Sequence, residues 1–161
     1  MIVFLDFDGV LHPDPCTEGA RLFEHAPRLA QALRGFPDVG LVLSTAWRQT
    51  RPYEELLLLL PTDLQQNIIG LTPNFADFAA LAPLIPYRRQ AECMHWLHQN
   101  RLQGHAWLAL DDRPTSFAPY CENLIACHPQ LGFDDEVSAR LSSALQRHRL
   151  QRGREVDLLI E

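Results

Sequence analysis

The chain of 161 residues contains no lysine, and all 14 of its basic residues are arginines. Catalysis through a lysine Schiff base is therefore excluded. Any cation that a reaction needs must be supplied by a guanidinium group, which stays charged and can hold an anion through two parallel hydrogen bonds. The sequence thus points to arginine wherever its chemistry requires positive charge.

Cysteine and long apolar runs are also scarce. The four cysteines form no C-x-x-C pair and show no metal-ligand spacing, so we expect reduced thiols rather than disulfides or a zinc site. No apolar run approaches the roughly 20 residues of a membrane span. Asp6 and Asp8 interrupt the first apolar run, which is unlike a secretion signal. We expect a cytoplasmic protein with no membrane partner.

The remaining composition is that of a globular domain. Hydrophobic residues make up 47% of the chain and charged residues 21%, and the length suits one domain with a real core. We predict a single domain over residues 1–161, with about 147–161 as a candidate mobile tail. The net charge of −6 argues against a broad nucleic-acid-binding surface.

Apolar runs alternate with helical patterns along the chain. Strands are predicted near residues 2–5, 39–43, 68–71, 106–110 and 123–127. Helices are predicted near residues 27–35, 52–60, 87–102 and after Asp134. This alternation predicts an α/β fold, a Rossmann-like three-layer sandwich around a five-stranded parallel sheet. The proline-rich segment 12–24 is too short for a folded cap, so the cap is expected to be minimal or absent. For residues 72–87 two interpretations stay open, a lid beside the cleft and an irregular connection on the surface.

Acidic residues follow two of the predicted strands. Asp6 and Asp8 come after the first run, and Asp111 and Asp112 end the fourth. Paired carboxylates repel each other unless a cation or a proton relieves them, and oxygen ligands without nearby histidine or cysteine favour Mg²⁺. The predicted metal ligands are Asp6, Asp8, Asp111 and Asp112, with Asp111 coordinating directly and Asp112 through water or as a helper.

The string LDFDGVLH resembles motif I of the haloacid dehalogenase (HAD) superfamily. That resemblance implies that Asp6 is a nucleophile that becomes phosphorylated and that Asp8 is a general acid and base. The string LVLSTAWR resembles motif II, an apolar strand that ends in a hydroxyl residue. Ser44 directly follows the strand and is favoured for this role, with Thr45 as the alternative. Together the two strings resemble the compact, capless branch that includes phosphatase domains associated with RNA end repair.

Two further motifs complete the resemblance. A basic residue at the start of the helix near residue 88 is similar to motif III, where Arg89 fits best and Arg88 is the alternative. Asp111 and Asp112 resemble the acidic motif IV. Trp47 is expected in the core, with a stacking face for a base as the alternative. The predicted catalytic residues are Asp6, Asp8, Ser44 and Arg89, and the predicted substrate contacts are Thr45, Arg48, Arg88 and Arg113.

The resemblance implies a Mg²⁺-dependent phosphatase that acts through an aspartyl-phosphate at Asp6. The expected partner is a phosphorylated substrate, either a small molecule such as a nucleotide or a nucleic-acid end such as a polynucleotide 3′-phosphate. Two rivals stay open, a non-catalytic scaffold with the same fold and a receiver-like phospho-acceptor domain. A receiver domain would need a lysine late in the chain, and this chain has none.

Overall fold

The computed structural model describes residues 1–78 and 87–158, with side chains through residue 153. Its strands are β1 (Ile2–Leu5), β2 (Gly40–Leu43), β3 (Ile68–Leu71), β4 (Trp107–Asp111) and β5 (Leu124–Ala126). Its α-helices are α1 (Ala26–Leu33), α2 (Tyr53–Leu58), α3 (Thr62–Gln65), α4 (Phe75–Phe78), α5 (Arg88–Gln99) and α6 (Asp135–Leu158). The five predicted strands are therefore confirmed, and β4 extends one residue further to include Asp111.

The sheet confirms the predicted parallel architecture. Its strand order is β3-β2-β1-β4-β5, and every neighbouring pair is parallel. The chain builds outward from β1 through β2 to β3 and then returns to the other side of β1 for β4. Ligands of open α/β sheets bind outside the carboxyl ends of the strands where the order reverses in this way. The reversal lies between β1 and β4, the two strands that end in acidic residues.

Alternating side chains of the strands divide the core between the two faces of the sheet. Val3 and Leu5 of β1 belong to the larger cluster, together with residues of α1 and α6. Ile2 and Phe4 belong to the smaller cluster, which α5 covers. The ring of Phe4 meets those of Trp96 and Trp107 edge to face, at centroid distances of 5.9 and 5.8 Å. The three predicted layers are thus present, with α5 on the face opposite α1 and α6.

Several segments differ in detail from the expectation. Pro61 divides the predicted helix 52–60 from a further turn of helix, so α2 ends at Leu58 and α3 begins at Thr62. Within the segment 72–87 the structure has α4, while residues 79–86 lie outside the described residues. The end of the chain that was a candidate mobile tail continues α6 as far as Leu158. Asp134 caps that helix as predicted, since its Oδ1 accepts a hydrogen bond from Val137 N at 2.9 Å.

The connection between β1 and α1 carries one short 3₁₀ turn, Gly19–Arg21, which agrees with the expectation of a minimal cap. On the β1 side, the carboxyl end of the sheet therefore has a loop rather than a second folded unit.

Among the described residues, no helix has the length and apolar character needed to cross a bilayer.

Candidate active site

Three neighbouring strands deliver polar residues to one point at the carboxyl end of the sheet. Asp6 follows β1, Ser44 follows β2, and Asp111 is the last residue of β4. Leu5 pairs with Leu43 on one side and with Leu110 on the other, so the three polar residues lie level with one another. By strand alternation they share the face that α5 covers. All three are buried.

Arg89, in the first turn of α5, links these three residues. Its Nη2 donates a hydrogen bond to Asp6 Oδ2 at 3.0 Å, and its Nη1 donates to the carbonyl oxygen of Ser44. Its Nε lies 3.7 Å from Asp111 Oδ2. Arg88 is directed elsewhere, with its guanidinium carbon 5.7 Å from the centre of the Phe75 ring. The structure therefore brings Arg89, and not Arg88, to the nucleophile predicted by the resemblance.

Asp6, Asp111 and Asp112 form a compact acidic cluster, in which carboxylate oxygens from the three residues lie within 4.8 Å of one another. Burial raises the pKa of Asp6, although Arg89 opposes the shift. Burial and the adjacent charge of Asp6 raise the pKa of Asp111. Burial also raises the pKa of Asp112, whose Oδ1 is buried and accepts no hydrogen bond from the described part of the chain. An all-oxygen cluster with an unsatisfied buried acceptor and mutual repulsion fits a hard divalent cation such as Mg²⁺.

Asp8 is not part of this cluster, although the sequence predicts it as a metal ligand. Trp47 Nε1 donates to both carboxylate oxygens of Asp8 at 3.0 Å, and His12 Nε2 is hydrogen-bonded to its Oδ1 at 3.1 Å. Burial alone would raise the pKa of Asp8, but these hydrogen bonds outweigh it and bring the pKa below its ordinary value. The arrangement suits a carboxyl group held for proton transfer rather than one committed to the acidic cluster.

Gly9, in the turn after β1, lies against the acidic pair at the end of β4. Its φ is +65°, a conformation that L side chains rarely adopt, and a Cβ at this position would overlap the carboxylate of Asp112. The glycine of the D-x-D-G string is therefore required twice, by the backbone and by the space that Asp112 occupies.

The two hydroxyl candidates have different surroundings. Thr45 is fully buried, and its Oγ1 accepts a hydrogen bond from Trp47 N at 3.3 Å, which caps the 3₁₀ turn Ala46–Gln49. Ser44 lies beside Asp6 on the face of α5, and its Oγ is buried without a hydrogen-bond partner among the described residues. Of the two, Ser44 is the one on the same face of the sheet as Asp6, while the Thr45 hydroxyl caps the 3₁₀ turn.

A cleft with a volume of about 580 Å³ has Arg89, the ion-pair partner of Asp6, in its lining. Its lining includes the arginines at positions 48, 88, 89 and 113, together with Glu92 and Phe75. Arg48 is nearly buried and committed to the wall, since it donates to the carbonyl of Thr45 and lies 2.6 Å from Glu92 Oε1. Another cavity, of about 450 Å³, lies at the opposite end of the sheet beside Met1 and has none of the predicted site residues in its lining.

Two of the cleft arginines have guanidinium groups available to a ligand. Arg88 is exposed at the start of α5. Arg113 is half exposed and lies 3.6 Å from both Asp14 and Asp112, so it bridges the loop after β1 and the acidic pair after β4. Of the four predicted substrate contacts, these two are placed to meet a ligand, whereas Arg48 and Thr45 build the surrounding structure.

The two side chains that contact Asp8 were not predicted from the sequence. His12 follows Asp8 by four residues across the Gly9 turn, a spacing that could have suggested a contact. Trp47 is separated from Asp8 by 39 positions and was assigned to the core or to base stacking. Its contact with Asp8 depends on the way the 3₁₀ turn after β2 folds over the site, and local sequence carries no signal for that.

A model of the family described as the HAD domain in Swiss Army Knife RNA repair proteins matches residues 2–137. This range includes every predicted site residue. A search of curated proteins found no match, and neither did a search of solved structures.

The acidic cluster predicts an unusual pH dependence for the metal-free protein. A carboxyl whose pKa is raised by folding stabilises the fold below its unfolded pKa, and this contribution is lost as the pH rises towards the folded pKa. With EDTA present, the wild type should be less stable at pH 7.5 than at pH 5. Asp111→Asn removes one repelling charge, so at pH 7.5 it should gain on the order of 1–3 kcal/mol in the free energy of unfolding by urea.

The exposed variant Asp63→Asn is the matched control for this comparison, and it should follow the wild type at both pH values. Adding Mg²⁺ should restore stability to the wild type and to Asp63→Asn but not to Asp111→Asn. If Asp111→Asn and the wild type change in parallel between pH 5 and pH 7.5, the electrostatic account of the cluster is wrong.

Proposed function

The chain belongs to the family of HAD domains found in Swiss Army Knife RNA repair proteins, and from this premise we propose that it is a Mg²⁺-dependent phosphomonoester hydrolase working through an aspartyl-phosphate at Asp6. Membership of the family indicates a hydrolase of the phosphatase type. The metal, the covalent intermediate and the substrate are the further parts of the proposal. The observation that carries them is the position of Asp6, which is buried beside two more carboxylates and ion-paired with Arg89, a residue that also lines an arginine-rich cleft.

In the first half of the proposed reaction, a carboxylate oxygen of Asp6 attacks phosphorus and the bond from phosphorus to the ester oxygen breaks. Asp8 is a carboxylate in the free protein, because its pKa is lowered, and it takes up a proton from solvent when the anionic phosphate binds nearby. This proton moves to the departing oxygen, which leaves as an alcohol. Arg89 holds Asp6 Oδ2 at 3.0 Å and fixes the orientation of the nucleophile. A magnesium ion held by Asp6, Asp111 and Asp112 would offset their charge and polarise a phosphoryl oxygen.

In the second half, Asp8 acts as the base. Its carboxylate takes a proton from a water molecule while the water oxygen attacks phosphorus. The bond from phosphorus to Asp6 breaks, inorganic phosphate is released, and Asp8 is again protonated. The side chain of Asp8 is one-quarter exposed, so water can reach it.

The proposed substrate is a nucleotide or a polynucleotide phosphate. Support comes from the cleft, where Arg88 and Arg113 add positive charge to a lining that also contains Arg89, in a chain whose net charge is −6. The short connection between β1 and α1 leaves this side of the sheet open to a large ligand. Guanidinium groups beside a phosphoryl site suit a second phosphate of the same substrate.

Replacing the proposed nucleophile tests the reaction. Asp6→Asn keeps the shape of the side chain but cannot form an acyl-phosphate, so Mg²⁺-dependent hydrolysis of an aryl phosphate should fall on the order of 10³-fold or more. The exposed variant Asp63→Asn should match the wild type. A wild type without activity would support the scaffold, and an Asp6→Asn variant with wild-type activity would exclude Asp6 as the nucleophile.

Replacing the cleft arginines tests the substrate class. Arg88→Gln and Arg113→Gln should each raise KM for a phosphate-ended oligonucleotide roughly fivefold, since each removes one charge-assisted contact. Their KM for a small aryl phosphate should change less. Arg34→Gln, at an arginine that is 72% exposed and paired with Asp63, is the matched control and should leave both constants unchanged. Equal effects of the cleft variants on both substrates would favour a small-molecule substrate.

A further inference from the structure

The carboxyl group of Asp8 is held by two side chains that the proposed reaction does not yet use. Trp47 Nε1 lies 3.0 Å from Asp8 Oδ1 and 3.0 Å from Asp8 Oδ2. His12 Nε2 lies 3.1 Å from Oδ1. His12 is 1% exposed, so this hydrogen bond is sheltered from water. We call these two side chains the Asp8 clamp.

The other ring nitrogen of His12 determines which group donates to Asp8. The backbone N–H of Phe23 donates to His12 Nδ1 at 3.5 Å. A backbone N–H can only donate, so Nδ1 must be an acceptor and carries no proton. The proton of the neutral ring is therefore on Nε2, which donates it to Asp8. His12 and Trp47 are both donors to the same carboxyl group.

Aromatic packing fixes the two donors in place. The His12 ring lies 5.1 Å from that of Phe23 and 5.8 Å from that of Trp47, measured between centroids. The Phe23 and Trp47 rings are 5.5 Å apart. The guanidinium carbon of Arg51 lies 5.5 Å from the centre of the Trp47 ring. With neighbours on several sides, the indole N–H cannot turn away from Asp8 without disrupting the whole group.

The two carboxyl oxygens of Asp8 accept different numbers of hydrogen bonds from the clamp. Oδ1 receives hydrogen bonds from both His12 and Trp47, whereas Oδ2 shares only the indole N–H among the described residues. A carboxyl oxygen has two lone-pair positions, so Oδ1 is fully used and Oδ2 keeps one free. Resting on the proposed function, we infer that Trp47 and His12 are positioning residues that make Oδ2 of Asp8 the oxygen that gives and takes the proton in both halves of the reaction.

The clamp is compatible with both protonation states of Asp8. When Oδ2 carries the proton, Oδ1 still accepts from both donors. When that proton passes to the leaving oxygen, the bond from phosphorus to the leaving oxygen breaks and Asp8 becomes a carboxylate with the same donors. When Oδ2 takes a proton from the attacking water, the first state returns. His12 neither gains nor loses a proton at any point.

A leaving-group comparison separates positioning from general structural support. Phenyl phosphate and dinitrophenyl phosphate carry the same phosphate group, but their leaving groups differ in basicity. The basic phenolate of phenyl phosphate depends strongly on a proton from the enzyme, whereas the weakly basic dinitrophenolate does not. The quantity kcat/KM reports the step that forms the aspartyl-phosphate. Trp47→Phe and His12→Phe should lower kcat/KM for phenyl phosphate on the order of tenfold, against less than about threefold for dinitrophenyl phosphate.

Three variants serve as controls. Asp8→Asn removes the group that the clamp positions, so adding Trp47→Phe to Asp8→Asn should lower kcat/KM no further. His12→Gln supplies an amide N–H in place of the imidazole N–H and should recover much of the loss seen in His12→Phe. Phe23→Leu disturbs the same aromatic packing without removing a donor, and it should affect both aryl phosphates by one common factor.

Spectroscopy tests the clamp without relying on catalysis. The chain has three tryptophans, and Trp47→Phe identifies the indole N–H signal of Trp47 in a ¹⁵N-edited spectrum. That signal should shift in Asp8→Asn more than the other two indole signals. The ring ¹⁵N shifts of His12 should show a neutral ring protonated on Nε2. A His12 ring protonated on Nδ1, or a Trp47 indole signal that does not shift in Asp8→Asn, would overturn the inference.

The outcomes for the clamp and for the proposed function are distinct. A wild type that hydrolyses no aryl phosphate removes the proposed function and the catalytic part of this inference with it. An active wild type whose clamp variants lose the same factor on both substrates leaves the proposed function standing but overturns the positioning role. Further loss from Trp47→Phe in the Asp8→Asn background would have the same consequence.

Discussion

The carboxylates of Asp6, Asp111 and Asp112 approach within 4.8 Å of one another at a nearly dry site, and Arg89 is the buried guanidinium that faces them. Holding three acids there is unfavourable for the protein alone, because burial and mutual repulsion both oppose ionisation. A divalent cation would reverse that balance and turn a destabilising cluster into a binding site. Strained or destabilising arrangements of this kind are typical of functional sites, where stability is given up for chemistry.

The register of the sheet makes this convergence possible. β1 is the central strand, and its pairing with β2 and β4 places Asp6 level with Ser44 on one side and Asp111 on the other. If either pairing shifted by one residue, the residue level with Asp6 on that neighbouring strand would point to the opposite face of the sheet. The apolar residues that precede these positions therefore do more than fill the core, since their burial fixes the register on which the site depends.

Much of this arrangement could be predicted from the sequence. An apolar run that ends in an acid predicts a strand with its carboxylate at the carboxyl end, and both Asp6 and Asp111 follow that rule. The sequence favoured Arg89 over Arg88 but kept both open, because neighbouring helix positions differ by about 100° in direction and only the packing of α5 decides between them. The position of Asp8 outside the acidic cluster depends on the turn at Gly9, and its contact with Trp47 joins segments far apart in the chain.

The two proposed roles of the acids follow from these surroundings. Asp6 lies in the cluster beside Arg89, where a carboxylate is held still and shielded from water. Asp8 lies two residues further on, outside the cluster, with Trp47 and His12 as neutral donors and part of its surface open. Carboxyl groups placed in different environments can take different parts in one reaction. The fold thus gives the proposed nucleophile and the proposed proton carrier different surroundings within three consecutive residues.

If acids from the ends of β1 and β4 share one divalent cation, a crystal structure with Mn²⁺ in place of Mg²⁺ should reveal the ion. We expect an anomalous difference peak in contact with carboxylate oxygens of Asp6 and Asp111, with Asp112 beside it. A fully formed site without a peak, or a peak elsewhere on the chain, would show that these acids do not share a cation.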